Sequence, residues 1–132
     1  MAKSLHPFLM FQGGPAQEAM KFYASLFPGA KIEGLDLYGP GEQGPEGTVK
    51  SATLTIVGQP MRFFDSPVKH EFDFTPAISF FVECESEEEI RRLAAALDAG
   101  TKTFMPLGSY GFSKLFAWVG DKYGITWQLN LA

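Results

Sequence analysis

The chain has 132 residues and a formal net charge of -4. That length suits one domain with a proper core, and 45% hydrophobic with 20% charged residues leaves no disordered bias. The acidic balance, unrelieved by any Lys/Arg cluster, speaks against nucleic-acid binding, and no apolar run reaches the roughly eighteen residues that suggest a membrane span. Residues 1–7 lack the apolar core and cleavage site of a signal peptide. A lone Cys84 excludes an internal disulfide framework. The cytoplasm is therefore the default expectation. Thirteen Phe, four Tyr and two Trp exceed what a small core usually needs. Some are expected to line a cavity or an interface, the alternative being a Phe-rich core.

In chain order, residues 5–11 form an apolar run that reads as a strand, ended by Gln12-Gly13-Gly14-Pro15. Pro15 suits the first turn of a helix. Ala19, Phe22, Tyr23 and Leu26 then recur at helical spacing until Pro28-Gly29. Residues 31–38 read as a strand. Residues 39–47 form a Gly/Pro/Glu/Gln loop with nothing to bury, expected to be exposed and mobile. Residues 48–57 and 60–65 read as two strands joined at Gly58-Gln59, and 66–74 as a polar connection. The order then repeats. Residues 76–82 are an apolar strand. Ser86 with Glu87, Glu88 and Glu89 is a helix start with a capping box. Ile90, Leu93, Ala94 and Leu97 are its buried stripe, and Gly100 its end. Strands follow at 101–106, 114–119 and 125–131, with a turn-rich stretch at 107–112 and a turn at 120–124.

Shifted by 71 residues, Ala19 meets Ile90, Phe22 meets Leu93, Leu26 meets Leu97 and Gly29 meets Gly100. Shifted by 66, Gly58 meets Gly124 and Met61 meets Trp127. The agreement predicts two βαβββ halves, about 1–70 and 71–132, in one α+β domain. Their four-stranded sheets, side by side, would form a curved trough with the helices outside.

Three stretches carry a family resemblance. They are His6-Pro7-Phe8-Leu9-Met10-Phe11-Gln12-Gly13 leading into Ala19-Met20-Lys21-Phe22-Tyr23, then Pro76-Ala77-Ile78-Ser79-Phe80-Phe81-Val82, and Asp121-Lys122-Tyr123-Gly124-Ile125-Thr126-Trp127-Gln128. The chain resembles the PhnB-like subgroup of the vicinal oxygen chelate superfamily, which includes glyoxalase and bleomycin-resistance proteins. Members of the subgroup have been labelled 3-demethylubiquinone 3-methyltransferases. The resemblance implies paired βαβββ modules, a cavity in the sheet for a small molecule, and a homodimer.

In metal-using members of that superfamily four inward positions supply His, Glu or Gln ligands. The internal register places them here at His6, Arg62, Ala77 and Gln128. His6 can ligate and Gln128 can do so weakly. Ala77 cannot, and the fixed charge of Arg62 repels a cation. If a metal is bound at all, the set would be His6, Asp65 and Gln128, so no cofactor is predicted. The candidate ligand-binding residues are His6, Arg62, Ser79, Trp118 and Gln128. Four of them also have a plain structural role: a near-terminal His6, an outward Arg62 on a solvated face, core packing for Trp118, a satisfied buried amide for Gln128. Arg62 in a cavity would hold an anionic group. His70 reads as a solvated surface residue. Trp127 reads as core, Asp121-Lys122 as a hairpin turn, and Cys84 between Glu83 and Glu85 as unreactive.

The expected activity is small-ligand binding without a tight catalytic metal. Three alternatives stand beside it. One is a metal-dependent lyase, isomerase or dioxygenase resting on His6 and Gln128, and another is a drug-sequestering resistance protein. For the third, a quinone methyltransferase, no Gly-rich loop follows a first parallel strand with an acidic residue beyond it, the usual hold on a nucleotide-like methyl donor.

Overall fold

The computed structural model describes residues 1–132. The chain forms two compact units, Met1–Glu71 and Phe72–Ala132. The first unit runs β1 (Phe8–Gln12), α1 (Ala16–Leu26), β2 (Lys31–Leu37), β3 (Val49–Ile56) and β4 (Gln59–Ser66). The second runs β5 (Ser79–Glu83), α2 (Glu87–Leu97), β6 (Thr103–Gly108), β7 (Leu115–Gly120) and β8 (Thr126–Leu131). Each unit is a mixed four-stranded sheet, ordered β1-β4-β3-β2 and β5-β8-β7-β6. The first and last strands of each unit pair in parallel, and the rest are antiparallel.

One face of each sheet carries the helix. In the first unit α1 sets Ala16, Ala19, Met20, Tyr23 and Leu26 against Leu9, Phe11, Leu54, Met61 and Phe63, all buried. Phe11 stacks on Phe63 with ring centroids 5.4 Å apart. In the second unit Ile90, Leu93, Ala94 and Leu97 of α2 face Ala117, Val119, Trp127 and Leu129. Period-2 alternation on the strands sends the intervening residues to the opposite, helix-free face. That alternation decides which side chains are available for function.

The helix starts follow local chemistry. Ser86 Oγ accepts the Glu89 N–H at 3.1 Å, and Glu89 returns a carboxylate oxygen to the Glu85 N–H at 2.8 Å, satisfying amides that a helix start leaves open. At α1 the turn needs Gly13 and Gly14, whose φ values of +85° and +87° suit residues without a Cβ. The helix is capped from afar: Asp65 Oδ1 accepts the Ala16 N–H at 3.0 Å.

Several sequence expectations are corrected in detail. The first strand begins at Phe8 rather than residue 5, and β5 at Ser79 rather than residue 76. Both predicted starts include a proline, Pro7 or Pro76, which has no N–H for a ladder. Pro7 still offers its carbonyl to the Arg62 N–H at 2.9 Å. Strand β6 covers Thr103–Gly108 rather than 101–106, since Asp98 ties the Thr103 hydroxyl and the Gly100 N–H just ahead of it. The 39–47 loop does have something to bury. Gly44 lies against the buried Tyr38 ring, so that a methyl group there would fall inside contact distance. Tyr38 also accepts the Gly47 N–H and donates to Thr48, both at 2.9 Å. Glu42 accepts from Gly39 N and from the Lys50 ammonium, each at 2.6 Å. The Lys50 hydrogen bond holds the Glu42 carboxyl below its ordinary value.

The sheet pairing corrects the 66-residue shift read from the sequence to 64 for the last strand of each unit. Phe8 lies opposite Arg62 in the first unit, and Ser79, the counterpart of Phe8 by the 71-residue shift, lies opposite Thr126 in the second. The counterpart of Arg62 in the second unit is thus Thr126, two residues before the Gln128 that the sequence register gives. The antiparallel hairpins explain the slack. Val57 and Gly58 alone, both with positive φ, join the Ile56–Gln59 pair, whereas residues 121–125 span the Gly120–Thr126 pair.

A candidate ligand-binding face on the second unit

On the helix-free face of the second sheet, strand alternation aligns Ser79, Phe81 and Glu83 of β5, Thr126, Gln128 and Asn130 of β8, and Phe116 and Trp118 of β7. Gln128 is the Cα partner of both Phe81 and Trp118. Its amide Nε2 donates to Ser79 Oγ at 2.8 Å. Ser79, Gln128 and Trp118, three of the sequence candidates, therefore form one row across three strands. Beyond the row, Asn130 Nδ2 donates to both Glu83 oxygens, at 3.3 and 3.4 Å.

Aromatic rings surround the row. Trp118 stacks on Phe104 at 4.6 Å. Phe116 meets Phe112 at 5.0 Å and Phe81 at 6.4 Å. Phe81 is 55% and Phe112 61% exposed, a large apolar surface to leave in water. The Trp118 Nε1–H is closed off from solvent and has no hydrogen-bond partner, a state that costs about 1–3 kcal/mol for a buried polar group. The other tryptophan is ordinary core. Trp127 is buried and donates Nε1–H to Asp121 Oδ2 at 2.9 Å, and Phe80 packs on its ring at 5.1 Å.

The first unit has its own helix-free face, with Phe8, Met10 and Gln12 of β1 opposite Arg62, Phe64 and Ser66 of β4. Phe8 and Phe64 lie 5.9 Å apart. Arg62 is exposed there. His6 sits just ahead of β1, half-buried, with its Nδ1 closed off from solvent and unpartnered. His70 is not a solvated surface residue as expected. It is half-buried, its N–H donates to Gln12 Oε1 at 2.6 Å and its Nε2 lies 3.2 Å from Ser66 Oγ. Beside them a cleft of about 570 Å3 is lined by Gln12, Gly14, Thr48, Asp65 and Ser66 among others.

The residues present do not suit the divalent metal that the fold family uses. Neither unit brings three His, Cys, Asp or Glu side chains together. Asp65, the carboxylate named as a third ligand, is 2% exposed. Its Oδ1 accepts the Ala16 N–H and its Oδ2 the Val49 N–H at 2.8 Å, so both oxygens are engaged by buried backbone amides. Ala77 precedes β5 and has no donor atom, and Arg62 brings a positive charge. Cys84 offers no nucleophile either. Burial, and then the carboxylates of Glu89 and Glu83, push its thiol up from 9.0 to about 11. At pH 8 its alkylation by iodoacetamide is expected to run about 100-fold slower than for a thiol at the ordinary value, rising about tenfold per pH unit up to pH 10. Because the folded-state value is the higher one, the thiol's contribution to stability is complete below pH 9 and is lost as pH climbs through 11. A rate at pH 8 matching that of free cysteine would contradict this.

The sequence candidates omitted Phe81, Phe104, Phe116 and the Asn130–Glu83 pair. Alternation from residues already singled out reaches most of them: Phe81 lies two beyond Ser79, Phe116 two before Trp118, and Asn130 two beyond Gln128. Phe104 comes from an edge strand whose pairing with β7 is irregular, and no local signal marks it.

Paired βαβββ units with the strand order seen here are the architecture of the vicinal oxygen chelate superfamily, the glyoxalase/bleomycin-resistance fold. Within that superfamily the chain belongs to the PhnB-like family described as 3-demethylubiquinone-9 3-methyltransferase, whose model matches residues 3–130. It is 49% identical to a PhnB protein from Bacillus cereus, with a TM-score of 0.94, covering 98% of this chain and 100% of that one. Protein PA1353 from Pseudomonas aeruginosa shares the fold at 23% identity and a TM-score of 0.82, with 98% of each chain covered. A mutant of the fosfomycin resistance protein FosX from Listeria monocytogenes, solved with Mn(II) and 1S,2S-dihydroxypropylphosphonic acid, shares it at 14% identity and a TM-score of 0.62, covering 98% of this chain and 93% of that one. No curated protein matches the sequence. No helix is long and apolar enough to cross a membrane.

Proposed function

We propose that the protein binds a small organic molecule on the helix-free face of its second unit, without a tight catalytic metal, and works in the cytoplasm as a homodimer. The observation that carries this is the Ser79–Gln128–Trp118 row, polar groups converging among exposed aromatic rings, which is the composition of a small-molecule site. The metal-free part is supported by the engagement of both Asp65 oxygens with backbone amides and by the positive charge of Arg62 where a ligand would stand. A second copy of the chain is supported by the exposure of Phe8 at 62% and Ile78 at 70%, large apolar side chains that self-association would cover.

The test is a melting-temperature series on protein purified without chelator, with Ni, Zn, Mn and Fe(II), and with small aromatic compounds including indane and 1-indanone. A ligand bound by the folded state alone raises the melting temperature by mass action, by an amount equivalent to about 2.7 kcal/mol at a hundred times Kd. The aromatic compounds are expected to stabilise and the metals are not. Stoichiometric metal with a clear rise would overturn the metal-free reading. Failure of every aromatic compound to shift melting or the backbone resonances of β5, β7 and β8 would overturn the site. Light scattering at the monomer mass would remove the dimer.

A further inference from the structure

We infer that the face takes an uncharged planar carbonyl compound, and that the Trp118 indole N–H is the donor that recognises its oxygen. The inference rests on the binding face proposed above and assigns its chemistry. Three observations carry it. Trp118 Nε1 is a side-chain donor of the row that is closed off from solvent and has no partner. Its neighbours complete a polar pattern: Gln128 spends an N–H on Ser79 Oγ, which leaves its carbonyl oxygen as an acceptor and the Ser79 proton as a second donor. The only charge among the strand residues of this face is the Glu83 carboxylate, held by Asn130.

Each observation narrows the ligand. An indole N–H donates and cannot accept, so the ligand must present an acceptor to it. With no cation on the face and a carboxylate at one end, an anion has no counter-charge there and meets repulsion. A neutral carbonyl oxygen fits both demands. The walls formed by Phe104, Phe116 and Phe81 favour a flat ring system by offset stacking and edge contacts. The nitrogen is closed off in the free protein, so the ligand needs a side chain to yield. Phe104 is the side chain this assigns to that movement, since it stacks on Trp118 from the edge strand β6 and is 38% exposed.

The two tryptophans make the test internal to the wild-type protein. Trp127 Nε1–H is already bonded to Asp121 and serves as the reference. In a 15N-labelled sample, 1-indanone is expected to move the Trp118 indole proton downfield and to leave that of Trp127 in place. Indane has the same skeleton without the oxygen, and should bind about tenfold more weakly, the worth of one hydrogen bond. Trp118→Phe keeps the ring packing and loses the donor. It should erase the ketone's advantage while holding indane affinity within about twofold. Indane-2-carboxylate tests the charge and should bind more weakly than the ketone. Equal affinity for ketone and hydrocarbon, a ketone advantage that survives Trp118→Phe, or an unmoved Trp118 indole signal in the bound state overturns the inference and leaves the binding face standing. Carboxylate binding at least as tight as that of the ketone overturns the uncharged assignment. If none of the three compounds binds, the face itself fails and the inference with it. Should Trp118→Phe not fold, the indole shift and the ketone-to-hydrocarbon ratio in the wild type still decide.

Discussion

Asp121→Ala is expected to cost about 4 kcal/mol of unfolding free energy, the largest effect of any single polar substitution in the second unit. The carboxylate is 5% exposed and accepts three bonds. Its Oδ1 takes the Tyr123 N–H at 2.8 Å and the Ile125 N–H at 3.1 Å, closing the turn between β7 and β8. Its Oδ2 takes the Trp127 indole N–H. Bonds to an ionised acceptor are worth about 1.5–3 kcal/mol each and are not additive. Alanine would leave the indole N–H without an acceptor beneath α2. Against a domain stability of about 5–15 kcal/mol, the variant would sit near the edge of folding. Asp121→Asn can keep the turn but opposes an amide N–H to the indole N–H, and is expected to cost about half as much. Urea unfolding followed by tryptophan fluorescence reads both. A loss under 1 kcal/mol for the alanine variant would mean the turn closes without the carboxylate.

Asp65→Ala should follow at about 2–3 kcal/mol, combining a lost helix cap with a lost strand contact. One carboxylate binds the first amide of α1 and the first of β3 together, so its removal loosens two elements. The distinguishing readout is metal. If Asp65 serves the fold as described, the variant loses stability and shows the same response to Mn or Ni as the wild type. Unchanged stability combined with lost metal binding would reverse the assignment and make Asp65 a ligand.

Much of the fold was legible because it was written twice. Of the matched helix positions, Ala19 and Leu26 and their counterparts Ile90 and Leu97 proved buried, as did Leu93, while its counterpart Phe22 is half-buried, and the capping box at Ser86 and Glu89 is present. The Asp121 turn and the core role of Trp127 were equally readable. The site was less so, for physical reasons. Asp65 looks like any strand carboxylate until the two amides it caps, 49 and 16 residues away, are brought to it. Ser66 and His70 looked like a polar connection, yet they form a knot with Gln12 from the other end of the unit. The 39–47 loop seemed empty because its one buried contact is made by a glycine, Gly44, which has no side chain to announce it. The helix-free face could be listed by alternation, but the unsatisfied state of the Trp118 nitrogen is a property of packing around it.

The two-residue difference between the internal sequence register and the sheet pairing bears on how repeated halves can be aligned. Side chains alternate in steps of two, so a drift of two positions changes every neighbour and inverts nothing. A drift of one would turn the oily side of a strand to water. An alignment of the two halves can therefore err by an even step and still keep inside and outside apart. The two units hold different constellations at matching places, Phe8 beside Arg62 in one and Ser79 beside Thr126 in the other. Grafting a functional set from one half onto the other by counting residues would give the correct side of the sheet and the wrong company.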